Sequence, residues 1–264
     1  MVNLLLTDGF CAPITPGDIE ILSDICYNHM RTKQPEETQM YKYEMHMHSS
    51  PCSGGGCDIE LHIDNLVKKG FAGMVITNHF FRGDTRIDRN LPWNEFCDSY
   101  RDDYLRGKAY AEKHDFDLLF GLEEGAGEGK EILVYGITPD FMYDERLRNA
   151  PTELFIKLAH EAGGLVFQAH PFRNRSYIPV PGLIPEFDML DGIEVYNTGN
   201  TPEANGQARL FVQEHPQRCT VGSDGHSPVG GGRTAIVAKQ RIRTEKALVE
   251  VLKSRDYELY IEEN

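Results

Sequence analysis

Short apolar runs recur along this chain, and most of them end in a side chain suited to water or to a metal. Residues 41–48 alternate as a strand does, so His46 and His48 project from one face. The Ser-Pro and triple-Gly stretch over residues 50–56 then breaks the run. Residues 73–77 form a nearly continuous apolar strand ending at Asn78-His79. Residues 116–121 lead into Leu122-Glu123, residues 165–169 into His170-Pro171, and residues 191–196 into Asn197. Residues 218–221 lead into Gly222-Ser223-Asp224-Gly225-His226, and residues 132–137 and 234–238 read as further strands. Helical spacing fills much of the space between: residues 59–69 (Leu61, Leu66, Val67), 94–114 (Phe96, Tyr100, Tyr104, Leu105), 152–161, 201–214 and 244–254.

Strand, loop and amphipathic helix in this rhythm predict a parallel α/β sheet. An open sheet would spread the polar ends along one edge. A closed (β/α) barrel would gather them on the face where such barrels carry their sites, so the set His46, His48, His79, Glu123, His170, Asn197, Asp224 and His226 favours a barrel. A chain of 264 residues is long enough to bury that core. Residues 1–40 read as an N-terminal extension with a short helix over 18–31, and His29 there reads as a surface histidine. Residues 41–264 form the barrel domain. The glycine run lacks dinucleotide or P-loop spacing, and there is no Gly-x-Ser-x-Gly elbow.

The net charge of −14 argues against long nucleic acid and anionic membranes as partners, while allowing a small phosphorylated substrate held by local cations. Six scattered cysteines, no signal peptide and no apolar stretch of membrane-spanning length point to a cytoplasmic protein. Cys52 and Cys57 flank the glycine run at a spacing looser than a Cys-x2-Cys knuckle, and read as a loop thiol and a packing residue. Nothing in the sequence sets an oligomeric state.

His46-x-His48 with its following serine, Ile76-Thr77-Asn78-His79, Gly121-Leu122-Glu123, Gln168-Ala169-His170-Pro171 and Gly222-Ser223-Asp224-Gly225-His226 occur in the order of the PHP (polymerase and histidinol phosphatase) family. Over residues 41–255 the chain resembles that family, most closely its stand-alone bacterial phosphoesterases. The resemblance implies a distorted (β/α)7 TIM-like barrel with two or three metals at the C-terminal strand ends, and hydrolysis of phosphate esters by a metal-activated hydroxide. It also implies His46, His48, His79, Glu123, His170, Asp224 and His226 as metal ligands, with Glu123 bridging two ions. Two departures stand out. Asn78 replaces the usual Asp of Thr-Asp-His, and Leu133 occupies a strand position that often carries histidine.

A mixture of imidazoles and carboxylates suits Zn, Mn or Fe, with Mg a poorer fit. Arg173 is the expected clamp on phosphoryl oxygens, because a planar guanidinium matches two of them. Arg82 and Asn197 are further substrate-binding candidates, and Asp224 or His226 could relay a proton to the leaving group. The alternatives are a metal-dependent amidohydrolase-like hydrolase and a non-catalytic metal- or ligand-binding relative, the latter kept open by Leu133 and Asn78.

Overall fold

A computed structural model describes residues 39–52 and 56–262. The helix expected over residues 18–31, with His29, lies outside the described residues. Strands β1 (Tyr41–Met47), β2 (Gly73–Ile76), β3 (Asp117–Gly127), β4 (Lys130–Tyr135), β5 (Leu165–Gln168), β6 (Gly192–Asn197), β7 (Arg218–Gly222), β8 (Thr234–Ala238) and β9 (Tyr257–Ile261) form one sheet in the order β7-β6-β5-β4-β3-β2-β1-β8-β9. The helices are α1 (Ile59–Lys68), α2 (Trp93–Ala111), α3 (Thr152–Glu161), α4 (Pro202–Glu214) and α5 (Glu245–Ser254).

From β1 to β7, strands adjacent in sequence are adjacent in space. Just beyond β7, Gly225 bridges back to β1: the His48 amide donates to the Gly225 carbonyl at 3.0 Å, and the Gly225 amide to the His46 carbonyl at 3.3 Å. This draws the seven strands into the distorted barrel read from the sequence, with β8 added antiparallel beside β1 and β9 antiparallel beside β8. Side-chain alternation divides the core in two. Tyr43, Met45, Val75, Leu119, Leu133 and Phe167 pack inside with Leu248 and Leu252 of α5. Met74, Ile76, Leu118, Phe120, Ile132 and Val166 face outward against α1, α2 and α3.

The expectation of a parallel sheet fails at β4, which runs antiparallel to both β3 and β5. Only Glu128 and Gly129 join β3 to β4, both with positive φ (51° and 72°), and a parallel crossover needs a dozen or more residues. β3 also runs on past Gly121 to Gly127, so Glu123 lies within a strand rather than after one. β9 has no counterpart in the sequence reading. In α1 the buried stripe is Ile59, His62, Ile63 and Leu66, while Leu61 and Val67 are exposed; on α2, Leu105 is exposed. Among the described residues no helix is long and apolar enough to cross a membrane.

Candidate metal centre

β1 is irregular where it matters. Its pairing with β2 slips between Glu44 and Met47, and the Thr77 hydroxyl fills the gap, accepting from the Met47 amide at 3.1 Å. Met45 points into the inner core and Met47 into the outer, yet His46 and His48 both reach the mouth of the barrel. A bulge beside a site re-aims side chains in this way.

Glu123 is the hub. Its Oε2 lies 3.3 Å from both His46 Nε2 and His48 Nε2 and 3.0 Å from His79 Nδ1, and its Oε1 lies 3.1 Å from His170 Nε2. Asp224 Oδ1 approaches His48 Nε2 at 3.1 Å and His46 Nε2 at 3.6 Å. His226 turns Nδ1 towards the Asp224 carbonyl at 3.1 Å and stacks on His48 with ring centroids 4.1 Å apart. The seven residues the family resemblance implies as ligands therefore meet at one place. Three overlapping groups there could each hold an ion: His46, His48, Glu123 and Asp224; His48, His79 and His226; and His79, Glu123 and Glu131.

Glu131 was not anticipated. It lies 3.3 Å from His79 Nδ1 and 3.3 Å from His170 Nε2. Leu133, where histidine is often found, is fully buried in the inner core. Because β4 runs antiparallel, its N-terminal end is at the mouth, and the residue two positions before Leu133 on the same face is Glu131. Glu194 was also missed. Its Oε1 lies 2.9 Å from His46 Nδ1, and its Oε2 accepts from the His170 amide at 2.8 Å and from Asn197 Nδ2 at 2.9 Å. The legible signal was a charge inside the apolar run Gly192–Asn197, since a buried carboxylate needs partners.

Metal fits these residues on two counts. His46 Nε2, His48 Nε2, His79 Nδ1 and Glu123 Oε2 are buried, converge, and have no hydrogen-bond partner. The mixed nitrogen and oxygen donors also match a borderline divalent cation. Electrostatics agree. Burial alone would raise Glu123 and Asp224, but His46 and the neighbouring cations outweigh it and hold both well below the usual carboxylate range. Burial opposes charge on His46 and His48, yet the surrounding anions raise both. Burial brings His226 down to about 4. His170 (φ 24°) and Asp224 (φ 52°) both adopt left-handed backbone, a conformation that carries strain and clusters at functional sites.

The centre opens onto a cavity of about 710 Å³ lined by His79, Arg82, Lys130, Glu131, Arg173 and Asp224, among others. Arg173 donates through Nη2 to Asp224 Oδ2 at 2.7 Å and Asn197 Oδ1 at 3.0 Å, and through Nε to Asn200 Oδ1 at 2.9 Å. Asn197, expected to touch substrate, is fully buried and links Glu194 to Arg173 instead. Arg82 lies on the cavity wall and binds the Gly125 carbonyl and Thr152 Oγ1. Glu124, beside the hub, points away and accepts the Arg82 amide; burial pushes it up to about 7. Cys52 Sγ lies 3.3 Å from His48 Nδ1, on the ring edge away from Glu123, and Cys57 Sγ lies 3.1 Å from His62 Nε2.

Residues 202–257, from α4 into β9, match the family model PHP_C, described as PHP-associated. No curated protein matches the sequence significantly. Among solved structures, the chain is similar to a two-domain protein of Bacteroides vulgatus containing a predicted PHP-like metal-dependent phosphoesterase (TM-score 0.63, 21% identity, 84% of this chain and 65% of that one). It is also similar to an amidohydrolase of Chromobacterium violaceum (TM-score 0.52, 16% identity, 84% and 98%). A third is the lesion-specific endonuclease EndoQ of Pyrococcus furiosus (TM-score 0.55, 15% identity, 84% and 58%). The chain thus spans less than two thirds of the first and third of these proteins, and at these identities the likeness is one of fold. With the PHP-associated segment, it supports the PHP resemblance read from the motifs.

Proposed function

We propose that this chain, which shares the PHP fold and carries a PHP-associated segment, is a metal-dependent phosphoesterase acting on a small phosphorylated metabolite or short nucleotide. One observation carries the reading: four buried donor atoms without partners converge on one point at the floor of a cavity bordered by Arg173. Residues 1–40 are assigned to an N-terminal extension and 41–264 to the barrel domain, in a cytoplasmic protein.

His46, His48, His79, Glu123, His170, Asp224 and His226 would hold two or three divalent ions, with Glu131 completing the group of His79 and Glu123. Zn, Mn or Fe suits the donors best, and such ions supply Lewis acidity to phosphoryl oxygens and to the attacking water. Arg173, which pairs with Asp224 and lines the cavity, would bind the phosphoryl group. Arg82 is proposed to bind substrate at the far wall, and Asn197 to fix Arg173 in place. Asp224 and His226 would serve first as ligands, and either is proposed to relay a proton to the leaving oxygen. The acidic chain supports small substrates over long nucleic acid.

The test is a hydrolysis screen on protein loaded with Zn or Mn, covering phosphomonoesters, short and long oligonucleotides, and amides. The proposal expects inorganic phosphate from small phosphomonoesters or short nucleotides, lost in His170→Ala and Asp224→Ala together with bound metal. Amine release without phosphate would replace it with the amidohydrolase reading.

A further inference from the structure

A chain of hydrogen bonds runs from the outside of the barrel wall to the back of His48. It begins on α2, where Asp103 is 7% exposed. Asp103 Oδ1 accepts from Arg106 Nη2 at 2.8 Å, and Oδ2 accepts from Ser49 Oγ at 2.6 Å. Ser49 Oγ in turn accepts from Asn78 Nδ2 at 2.8 Å. Asn78 Oδ1 accepts from the Ser49 amide at 2.6 Å and from Cys52 Sγ at 3.3 Å. Cys52 Sγ lies 3.3 Å from His48 Nδ1 and accepts from the His79 amide at 3.2 Å. Ser49, Asn78 and Cys52 are all buried.

Donor and acceptor chemistry gives this chain a direction. The Arg106 guanidinium on Oδ1 keeps Asp103 a carboxylate against its burial, and a carboxylate only accepts, so the single proton of the Ser49 hydroxyl goes to Asp103. Ser49 Oγ must then accept from the amide side of Asn78. The backbone N–H of Ser49, which only donates, independently requires the carbonyl side of Asn78 to face it. Both constraints choose the same orientation. The one proton of the Cys52 thiol then goes to Asn78 Oδ1, and its sulfur faces His48 Nδ1, which must carry the hydrogen. Nε2 of His48 is then the nitrogen turned to the centre, facing Glu123 and Asp224 without a partner, and it is the one a cation would take.

We propose that Asp103 is a positioning residue for the metal centre, which through Ser49, Asn78 and Cys52 fixes the tautomer in which His48 presents Nε2. The proposal rests on the metal-centre reading above. It also accounts for a carboxamide at position 78: Asn78 must donate on one side and accept on the other, which a carboxylate cannot do.

The test is zinc affinity of the full-length chain, measured by chelator competition for wild type, Asn78→Asp, Asp103→Asn and the double variant. Asn78→Asp puts two acceptors around the single Ser49 proton, and disturbing such outer partners typically costs about tenfold or more in metal affinity. The added negative charge alone would favour the cation, so a loss cannot come from net charge. The double variant restores the wild-type charge and reverses only the two Ser49 Oγ contacts, with the carboxamide at 103 donating to Ser49 Oγ and Ser49 Oγ donating to the carboxylate at 78. The Ser49 amide and Cys52 still donate to position 78, so it should recover most of the loss. Cys52→Ser, which keeps a hydrogen-bonding group, should bind zinc more tightly than Cys52→Ala, and this pair serves if the position 78 variants do not fold. Losses at positions 78 and 103 that simply add, or Asn78→Asp and Cys52→Ala binding zinc like wild type, would overturn the relay. A wild-type chain that binds no zinc would overturn the metal reading itself.

Discussion

His46 Nε2, His48 Nε2, His79 Nδ1 and Glu123 Oε2 face one another, buried and without a hydrogen-bond partner, an arrangement that a cation would relieve. The residues behind them serve the same end. Glu194 holds Nδ1 of His46, which turns Nε2 to the centre, and Glu194→Gln should lower metal affinity roughly 10- to 100-fold while the fold persists. Metal titration of the folded variant checks it, and wild-type affinity would remove Glu194 from the centre. The pH dependence has a definite sign. Anions raise His46 and His48 above their ordinary 6.5, so the metal-free centre keeps protons there into the range above 6.5 that a cation must displace. Metal affinity should therefore rise with pH through that range and fall as pH drops. Calorimetry in buffers of differing ionisation enthalpy should register proton release on binding; none would contradict the protonated starting state.

At the scale of elements, β4 explains which parts of the site could be read from sequence. His46, His48, His79, His170, Asp224 and His226 end short apolar runs, and chain order with strand periodicity was enough to bring them to one mouth. Glu131 begins its strand, and becomes a mouth residue only because a two-residue turn reverses β4, which periodicity alone does not reveal. Glu194 sat in plain view as a charge in a strand, but its partner His46 is 148 residues away, a pairing that only the closed barrel creates. The end of β7 leaves no room for a side chain. A Cβ on Gly222 would lie 2.1 Å from Glu194 Oε1 and 2.4 Å from His46 Cβ. Gly222→Ala should cost about 1–3 kcal/mol of stability and displace the His46–Glu194 pair. Denaturant unfolding together with metal titration tests both effects, and unchanged values in each would show that the strand end gives way freely.

Across the whole molecule the barrel separates stability from chemistry. Away from the mouth, the Tyr43 hydroxyl donates to Asp117 Oδ2 at 2.9 Å and accepts from the Ile242 amide at 2.7 Å, and Arg241 Nε binds the same carboxylate at 2.7 Å. Tyr43→Phe strands the buried Ile242 amide and should cost about 1–3 kcal/mol while metal content stays at the wild-type level. Thermal unfolding and elemental analysis of one sample would separate the two. Bound metal should in turn stabilise the chain by about 4 kcal/mol at a thousandfold excess over its Kd, so chelation should lower Tm. The most direct test is anomalous diffraction at the metal absorption edge, on crystals of the protein loaded with zinc or manganese. The account predicts two or three peaks within bonding distance of His46, His48, His79, Glu123, His170, Asp224 and His226, one of them also touching Glu131. A map with no peak among these side chains, or with the ions bound elsewhere, would contradict it.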